Sequence, residues 1–268
     1  MKRYLITESL RNSVKNNPLG INQLSRLAGF DVKKIYNLNK GISETHLNKL
    51  KSLLHINPNL EEYRQDYAAN LGKYAHNSYN LKTLELGEDL AEFCGIMLGD
   101  GNMNRRGVRI AFDKRNVNYM AYVNKLFEKL VGLQLRPFLV KATNQGYLYF
   151  YSAHLVEHLT SVGLVAGDKI KNNVGIPDWI KENEIYSKRC IRGLIDTDGC
   201  IYICKRERQK YVKFTNFNRK LLLEFKDLAL KSGYHFASAN QKNVCLYRKD
   251  EVIRFINDIK PVRAGVVI

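Results

Sequence analysis

The spacing of apolar positions changes several times along the chain. Over residues 1–60 they recur at helical intervals in short runs. INQLSRLA and DVKKIYNLN flank Gly29, and ETHLNKLKSLL follows. Short amphipathic helices are predicted there. Residues 61–88 are polar and tyrosine-rich, with Leu71, Leu81, Leu84 and Leu86 as scattered apolar points. They read as a connector, partly helical. From about residue 89 onward, helical periods alternate with period-two stretches such as VRIAF and YLYFYS, which predict strands.

That second part repeats itself. FCGIMLGDG (93–101) is matched by IRGLIDTDG (191–199), and VRIAFDKRN (108–116) by YVKFTNFNR (211–219). The helix NYMAYVNKLFEKLVG is matched by RKLLLEFKDLALKSG, and the hairpin ATNQGYLYFYS by SANQKNVCLYR. The matched landmarks lie roughly 100 residues apart and in the same order. Two halves are expected, each helix, hairpin, helix, hairpin, helix, over 89–160 and 191–268. A linker over 161–190, including KIKNNVGIPDWI, joins them.

Each half opens with an apolar helix ending in Asp-Gly, at Asp100–Gly101 and Asp198–Gly199. Glycine there suits a left-handed cap. Aspartate does not suit the last turn, where the helix dipole carries partial negative charge and a carboxylate is disfavoured by about 0.3–1 kcal/mol. A local rule broken twice at equivalent positions points to function. Gly95 and Gly99 lie one turn apart, as do Gly193 and Thr197, so the two helices are expected to pack closely and bring both acids to one end. Two adjacent carboxylates need a proton or a cation between them. A hard divalent cation, Mg²⁺ first, is the expected resident.

At these residues the chain resembles the LAGLIDADG homing endonucleases, in their single-chain, two-motif form. The second motif matches at Gly193, Leu194, Ile195, Asp196, Asp198 and Gly199; the first keeps Gly95, Asp100 and Gly101. The resemblance covers about 89–262. It implies an α+β fold of two αββαββα repeats forming a DNA-gripping saddle, and metal-dependent cleavage of both strands. It also implies Asp100 and Asp198 as metal-binding catalytic acids, with the carbonyls of Gly99 and Thr197 as extra oxygen ligands. Lys114 stands where the family often has a basic residue that polarises the reaction; its counterpart is Asn216. Lys169 and Lys171 also resemble family positions and are expected to be structural or to contact phosphate. Asp196, opposite Leu98, is not expected to be catalytic.

Charge agrees with a polyanionic partner. Lysine and arginine number 43 against 26 aspartates and glutamates, a net +17, which disfavours an ordinary metabolic enzyme and suits a polyanion; the family resemblance implies that this is double-stranded DNA. Strand alternation turns Val108, Ile110, Phe112, Leu148, Phe150, Val212, Phe214, Val244 and Leu246 inward. It turns Arg109, Tyr147, Tyr149, Tyr151, Tyr211, Lys213, Asn243, Cys245 and Tyr247 outward. The hairpin turns add Arg105, Arg106, Asn144, Gln145, Lys205, Arg206, Arg208, Lys210, Asn240, Gln241 and Lys242. Together these are the expected DNA-reading surface, since Asn and Gln pair with adenine and Arg with guanine in the major groove.

The amino-terminal 1–60 resembles a phage-repressor helix-turn-helix, with Gly29 at the turn and Leu24, Ile35 and Leu38 inside. Ser25 stands where alanine is commonest. The second helix, Asp31 to Asn39, would offer Lys33, Lys34, Tyr36 and Asn37 to the major groove. Five cysteines without paired spacing favour reduced thiols over zinc or disulfides. His154 and His158 lack a third ligand nearby. No apolar run approaches a membrane span, and no targeting segment is recognisable, so a cytoplasmic (or, in a eukaryote, organellar or nuclear) monomer is expected. The ends lack intein splicing residues, so a free-standing protein is expected. Two alternatives stand beside the nuclease: a DNA-binding transcription regulator on the same scaffold, and an RNA maturase acting on an intron RNA.

Overall fold

The computed structural model describes residues 3–4, 6, 8–36, 42–56, 65–69 and 76–263. Internal contacts divide the chain into two compact units, Met1–Leu81 with Tyr151–Leu155, and Lys82–Phe150 with Val156–Ile268.

In the first unit, β1 (Arg3–Tyr4) precedes α1 (Glu8–Lys15) and α2 (Ile21–Ala28). A 3-10 helix, Val32–Tyr36, then leads to β2 (Ile42–Ser43), which pairs antiparallel with β1, and to α3 (Glu44–Leu54). Leu10, Val14, Leu24, Ala28, Val32, Ile35, Leu47 and Leu50 form its core. Gly29 ends α2 in the left-handed conformation at φ +70 and returns its N–H to Ser25 O. Ser25 suits the turn because its hydroxyl serves both sides of it, donating to Ile21 O at 2.8 Å and accepting from Val32 N–H at 3.0 Å. Of the helix expected over Asp31 to Asn39, the described part, Val32–Tyr36, is a 3-10 segment. Its amide Val32 N–H is taken by that hydroxyl, and the Tyr36 carbonyl accepts from Arg11. Leu38 and Asn37 lie outside the described residues. The connector, expected to be partly helical, carries an antiparallel hairpin, β3 (Gln65–Ala69) with β4 (His76–Asn80). Its polar sequence offers no apolar stripe at helical spacing to hold a helix against a core.

Apart from Tyr151–Leu155, the repeat lies in the second unit. Its first half runs α4 (Glu88–Leu98), β5 (Gly101–Asn104), β6 (Gly107–Asp113), α5 (Val117–Val131), β7 (Arg136–Leu139), β8 (Gln145–Tyr151) and α6 (Ala153–Ser161). After α7 (Asp178–Lys181), the second half repeats that order: α8 (Glu184–Asp198), β9 (Gly199–Cys204), β10 (Gln209–Thr215), α9 (Arg219–Lys231), β11 (Ala237–Asn240), β12 (Asn243–Leu246) and α10 (Lys249–Ile259). The two antiparallel sheets share one strand order, β5-β6-β8-β7 and β9-β10-β12-β11. The fold class is therefore α+β with two αββαββα halves. α8 begins at Glu184, within the expected linker, because Asn183 caps it by accepting from the N–H groups of Ile185 and Tyr186.

Each half buries its inward strand residues against its own helices. Phe127 lies between Phe93 and Phe150, with ring centroids at 5.6 and 5.4 Å. In the second half Phe214 stacks on Phe225 at 4.0 Å. The inward set is buried throughout. Two outward expectations are corrected. Tyr211 and Cys245 are buried at 6% and 3% exposure. Tyr211 is walled by edge-on contacts with Tyr202 and Tyr247, and its hydroxyl donates to Glu207. An aromatic cluster on the open face of the sheet thus removes Tyr211 from solvent.

Candidate active site

The site is built where α4 and α8 meet. Their approach is set by glycine: a Cβ on Gly95 would stand 2.3 Å from the Cys190 carbonyl oxygen, and one on Gly193 2.3 Å from that of Glu92. Gly99 faces Thr197 so closely that a Cβ would overlap the hydroxyl. The Thr197 hydroxyl turns back on its own helix, donating to Gly193 O at 2.9 Å and Leu194 O at 3.0 Å. The glycines after the acids are not the left-handed caps expected of a Gly that follows a helix. Gly199 is extended, at φ −93 and ψ 162. Gly101 and Gly199 are needed for room, since a Cβ would meet Met97 Cα at 2.4 Å and Ile195 O at 2.4 Å. Each chain folds straight back over its helix end into the first strand.

This packing sets Asp100 and Asp198 within reach of each other's charge. Burial pushes the Asp198 carboxyl up to about 6, the charge of Asp100 adds to the rise, and Lys169, Asn216 and Arg263 oppose it. Burial also raises Asp100, against the pull of Arg263 and Lys169. Asp198 Oδ2 accepts from the Asn216 amide at 2.8 Å. Asp198 lines a cavity of about 370 Å³ with Lys169, Asn216, Phe217 and Leu221.

Lys114 and Asn216 are structural counterparts: each backbone N–H donates to the turn of its half's second hairpin, at Asn144 O (2.8 Å) and Lys242 O (2.9 Å). Their side chains diverge. Asn216 reaches the acid of its half, whereas the Lys114 ammonium donates to the Val140 carbonyl. Lys169 reaches the centre instead. Its ammonium donates to the carbonyls of Met97 (3.3 Å), Leu98 (2.8 Å) and Gly99, the terminal carbonyls of α4. Asn218, which caps α9, holds Lys169 in place by donating to its carbonyl at 3.1 Å. A cation on a helix C-terminus offsets the dipole.

The residue that sequence reasoning missed is Arg263. Its guanidinium pairs with Asp100 Oδ2 at 3.0 Å and donates to Asp196 O (3.2 Å) and Thr197 O (3.3 Å), the end of α8. Its backbone N–H donates to Asp196 Oδ1 at 2.7 Å. Arg263 therefore serves α8 as Lys169 serves α4, each from the segment following the last helix of its half. That equivalence was the available signal, and it lies just past the last matched landmark. Asp196 is buried at 2% exposure and anchors this segment. Tyr119, buried beside the same group, lies 5.9 Å from the guanidinium.

A divalent cation fits the donor set. Asp100, Asp198 and the carbonyls of Gly99 and Thr197 are hard oxygens; the two carbonyls accept from Lys169 and Arg263 in this structure. Among the described residues no group of three or more His, Cys, Asp or Glu gathers as a metal cluster, so carbonyls or substrate oxygens must complete any shell.

The expected reading surface is largely exposed. Arg105, Arg106, Arg109, Asn144, Gln145, Lys205, Arg206, Arg208, Lys210, Asn240, Gln241, Lys242 and Tyr247 are solvent-facing; Tyr147, Tyr149, Tyr151, Lys213 and Asn243 are half-buried. Arg109 stacks over Tyr147 at 4.5 Å and Lys242 over Phe217 at 4.3 Å. In the first unit Lys33 and Lys34 are exposed and Tyr36 is half-buried. No helix among the described residues is long and apolar enough to cross a membrane.

Parts of the chain are similar to known proteins. Residues 186–255 match the model of the LAGLIDADG-like domain family. No curated protein matches the chain. Among solved structures, mesophilic variants of the homing endonuclease I-DmoI are 15% identical, with a TM-score of 0.43 over 64% of this chain and 94% of theirs. Full-length DUF199/WhiA from Thermatoga maritima is 10% identical, with a TM-score of 0.48 over 67% of this chain and 58% of its own. I-DmoI in complex with DNA and Ca is 16% identical, with a TM-score of 0.44 over 64% of this chain and 88% of that one.

Proposed function

We propose that the chain is a site-specific, metal-dependent DNA endonuclease of homing type. One observation carries the reading: equivalent positions of a repeated half place two locally unfavourable aspartates at one end of a glycine-packed helix pair. A single acid is accommodated in many helix ends; two brought together and raised by burial call for a cation. The match over 186–255 and the basic, exposed strand faces support the same reading.

Asp100 and Asp198, with the carbonyls of Gly99 and Thr197, would hold Mg²⁺ or a similar ion. When bound, that ion supplies positive charge to the scissile phosphate and lowers the pKa of water. The chain's own groups do the rest. Asn216 orients Asp198 by its amide, and Lys169 and Arg263 keep the two helix ends compensated. Lys114, whose ammonium rests on the Val140 carbonyl, is assigned to the water and phosphate network. Arg105, Arg106, Arg109 and the second-half basic turn grip the duplex, and Lys33 and Lys34 extend the contact from the amino-terminal unit.

Cleavage of a randomised duplex library in Mg²⁺, with the ends mapped, tests this. Asp100→Asn or Asp198→Asn should abolish cutting while leaving DNA affinity within about threefold, because neither carboxylate contacts a groove. Full activity in either variant overturns the assignment. A second reading, DNA binding without cutting, draws on Lys169 and Arg263, which already compensate the helix ends. It is the outcome if wild-type protein binds one sequence tightly and leaves it intact in Mg²⁺ and Mn²⁺.

A further inference from the structure

We propose that Arg263 is a displaceable internal counter-ion that closes the Asp100 side of the acid pair, so that a divalent cation loads first on the Asp198 side. This rests on the metal-dependent reading above and adds to it an order of loading and of strand cleavage.

Two basic residues break the symmetry of the paired halves. Lys169 and Arg263 follow corresponding helices and cap corresponding helix ends. Among the described residues, the Lys169 ammonium donates only to main-chain carbonyls at the end of α4. Arg263 does more, pairing with Asp100 Oδ2 at 3.0 Å while also engaging Thr197 O at 3.3 Å. It thus occupies an oxygen of one acid and one of the carbonyls that a cation would need. A cation can take that place only when the guanidinium is moved bodily. Its seat is built, with Asp196 holding its backbone and the Tyr119 ring beside it.

The Asp198 side is different. Its carboxylate accepts from the neutral amide of Asn216 and, among the described residues, forms no ion pair. It opens onto the cavity of about 370 Å³, whose lining includes Gly99, Lys169, Thr197 and Asp198 but neither Asp100 nor Arg263; the cation there, Lys169, holds main-chain carbonyls and not the carboxylate. A cation entering there breaks no ion pair of Asp198 and displaces Lys169 only from the Gly99 carbonyl. One entering beside Asp100 competes with an ion pair. Two loading events of unequal affinity follow, and the strand served by Asp198 is cut first.

Mn²⁺ titration of the full chain alone, following free Mn²⁺ by electron paramagnetic resonance, tests the idea. Arg263→Gln should tighten the weaker site about tenfold, the factor carried by about 1.4 kcal/mol. Arg248→Gln, which removes the same charge from an exposed position, should leave binding unchanged. Adding Asp100→Asn to Arg263→Gln should cancel the gain. Arg263→Lys keeps the charge but not the forked reach, and should tighten the site a few-fold. It carries the test if the glutamine variant fails to fold. With labelled strands, the lag between first and second cuts should shrink in both variants.

Equal Mn²⁺ affinity in wild type and the Arg263 variants, an equal gain in Arg248→Gln, or no binding by any of them overturns the inference. If wild type and variants bind alike and Asp198→Asn abolishes that binding, the inference alone falls and the metal-dependent reading stands. If Asp198→Asn changes nothing, the metal reading itself falls.

Discussion

Asp196 shows how one buried carboxyl ties the motif to the rest of the chain. It lies two residues before a proposed metal ligand, at 2% exposure, with Oδ1 accepting from Arg263 N–H and Oδ2 without a hydrogen-bond partner among the described residues. Burial pushes its pKa up to about 6, against the pull of backbone N–H groups and Arg192. The folded state then holds its proton more tightly than the unfolded chain. The stability contribution is complete below pH of about 4 and is lost as pH rises through about 6. Asp196→Asn should therefore stabilise the metal-free protein by up to about 3 kcal/mol at pH 8, at roughly 1.4 kcal/mol for each pH unit between the folded and unfolded values. The gain should vanish near pH 4. Thermal melts at both pH values check it, and a variant that melts lower at pH 8 contradicts the account. The acids and their spacing were legible in the sequence because an aspartate at a helix end is locally wrong. Asp196 has an apolar counterpart in Leu98, which marks it as something other than half of a paired site. Its role in seating Arg263 was invisible, since a contact across the whole second half has no local signature. The same holds for Lys114: its counterpart Asn216 is readable from the repeat, yet which of the two side chains reaches an acid depends on hairpin geometry.

Packing of α4 on α8 is the element on which the site depends, and glycine spacing foretold it. The clearances show why spacing sufficed. At Gly95 and Gly193 a Cβ would strike backbone oxygen of the facing helix at 2.3 Å, and backbone cannot swing aside as a flexible side chain can. Gly95→Ala and Gly193→Ala should each cost at least the roughly 1–3 kcal/mol typical of overpacking, although alanine is the better helix former by about 1 kcal/mol. Urea melts showing either variant as stable as wild type would contradict the close approach. Across the interface, Glu92 is fully buried and accepts from the Tyr122 hydroxyl at 2.5 Å, with Arg189 at 3.1 Å and Arg192 at 3.6 Å. Its neighbours come from α8 and α5, so no window of sequence displays the cluster. Elements were legible where a core fixes their period, as in the paired halves. They were less so in the amino-terminal unit. There the segment Val32–Tyr36 is a 3-10 turn whose last carbonyl accepts from Arg11, 25 residues away, a contact that no local window displays.

At the scale of the whole molecule, the excess of 17 positive charges favours a polyanionic partner but does not say where it would sit. Charge alone cannot tell a solvated surface from a footprint, and the exposed basic residues are spread over both units. Salt dependence separates the two cases. Each lysine or arginine held against a phosphate releases condensed counterions, so log K falls against log salt with a slope of about −0.9 per contact on duplex DNA. A lysine that is merely solvated contributes nothing to that slope. Three paired neutralisations probe three regions: Lys33→Gln with Lys34→Gln in the amino-terminal unit, Arg105→Gln with Arg106→Gln in the first half, and Lys205→Gln with Arg206→Gln in the second. All six residues are exposed, so loss of folding is not the expected effect. If both halves and the amino-terminal unit engage one duplex, each pair should flatten the slope by about 2. The effects of well-separated pairs should add. Fluorescence anisotropy of a labelled target duplex, titrated between about 50 and 250 mM KCl, reads the slope directly. An unchanged slope for the first pair, beside flattened slopes for the other two, would remove the amino-terminal unit from the footprint while leaving the paired halves in it. Unchanged slopes for the second and third pairs would mean that the hairpin turns do not grip the backbone at all.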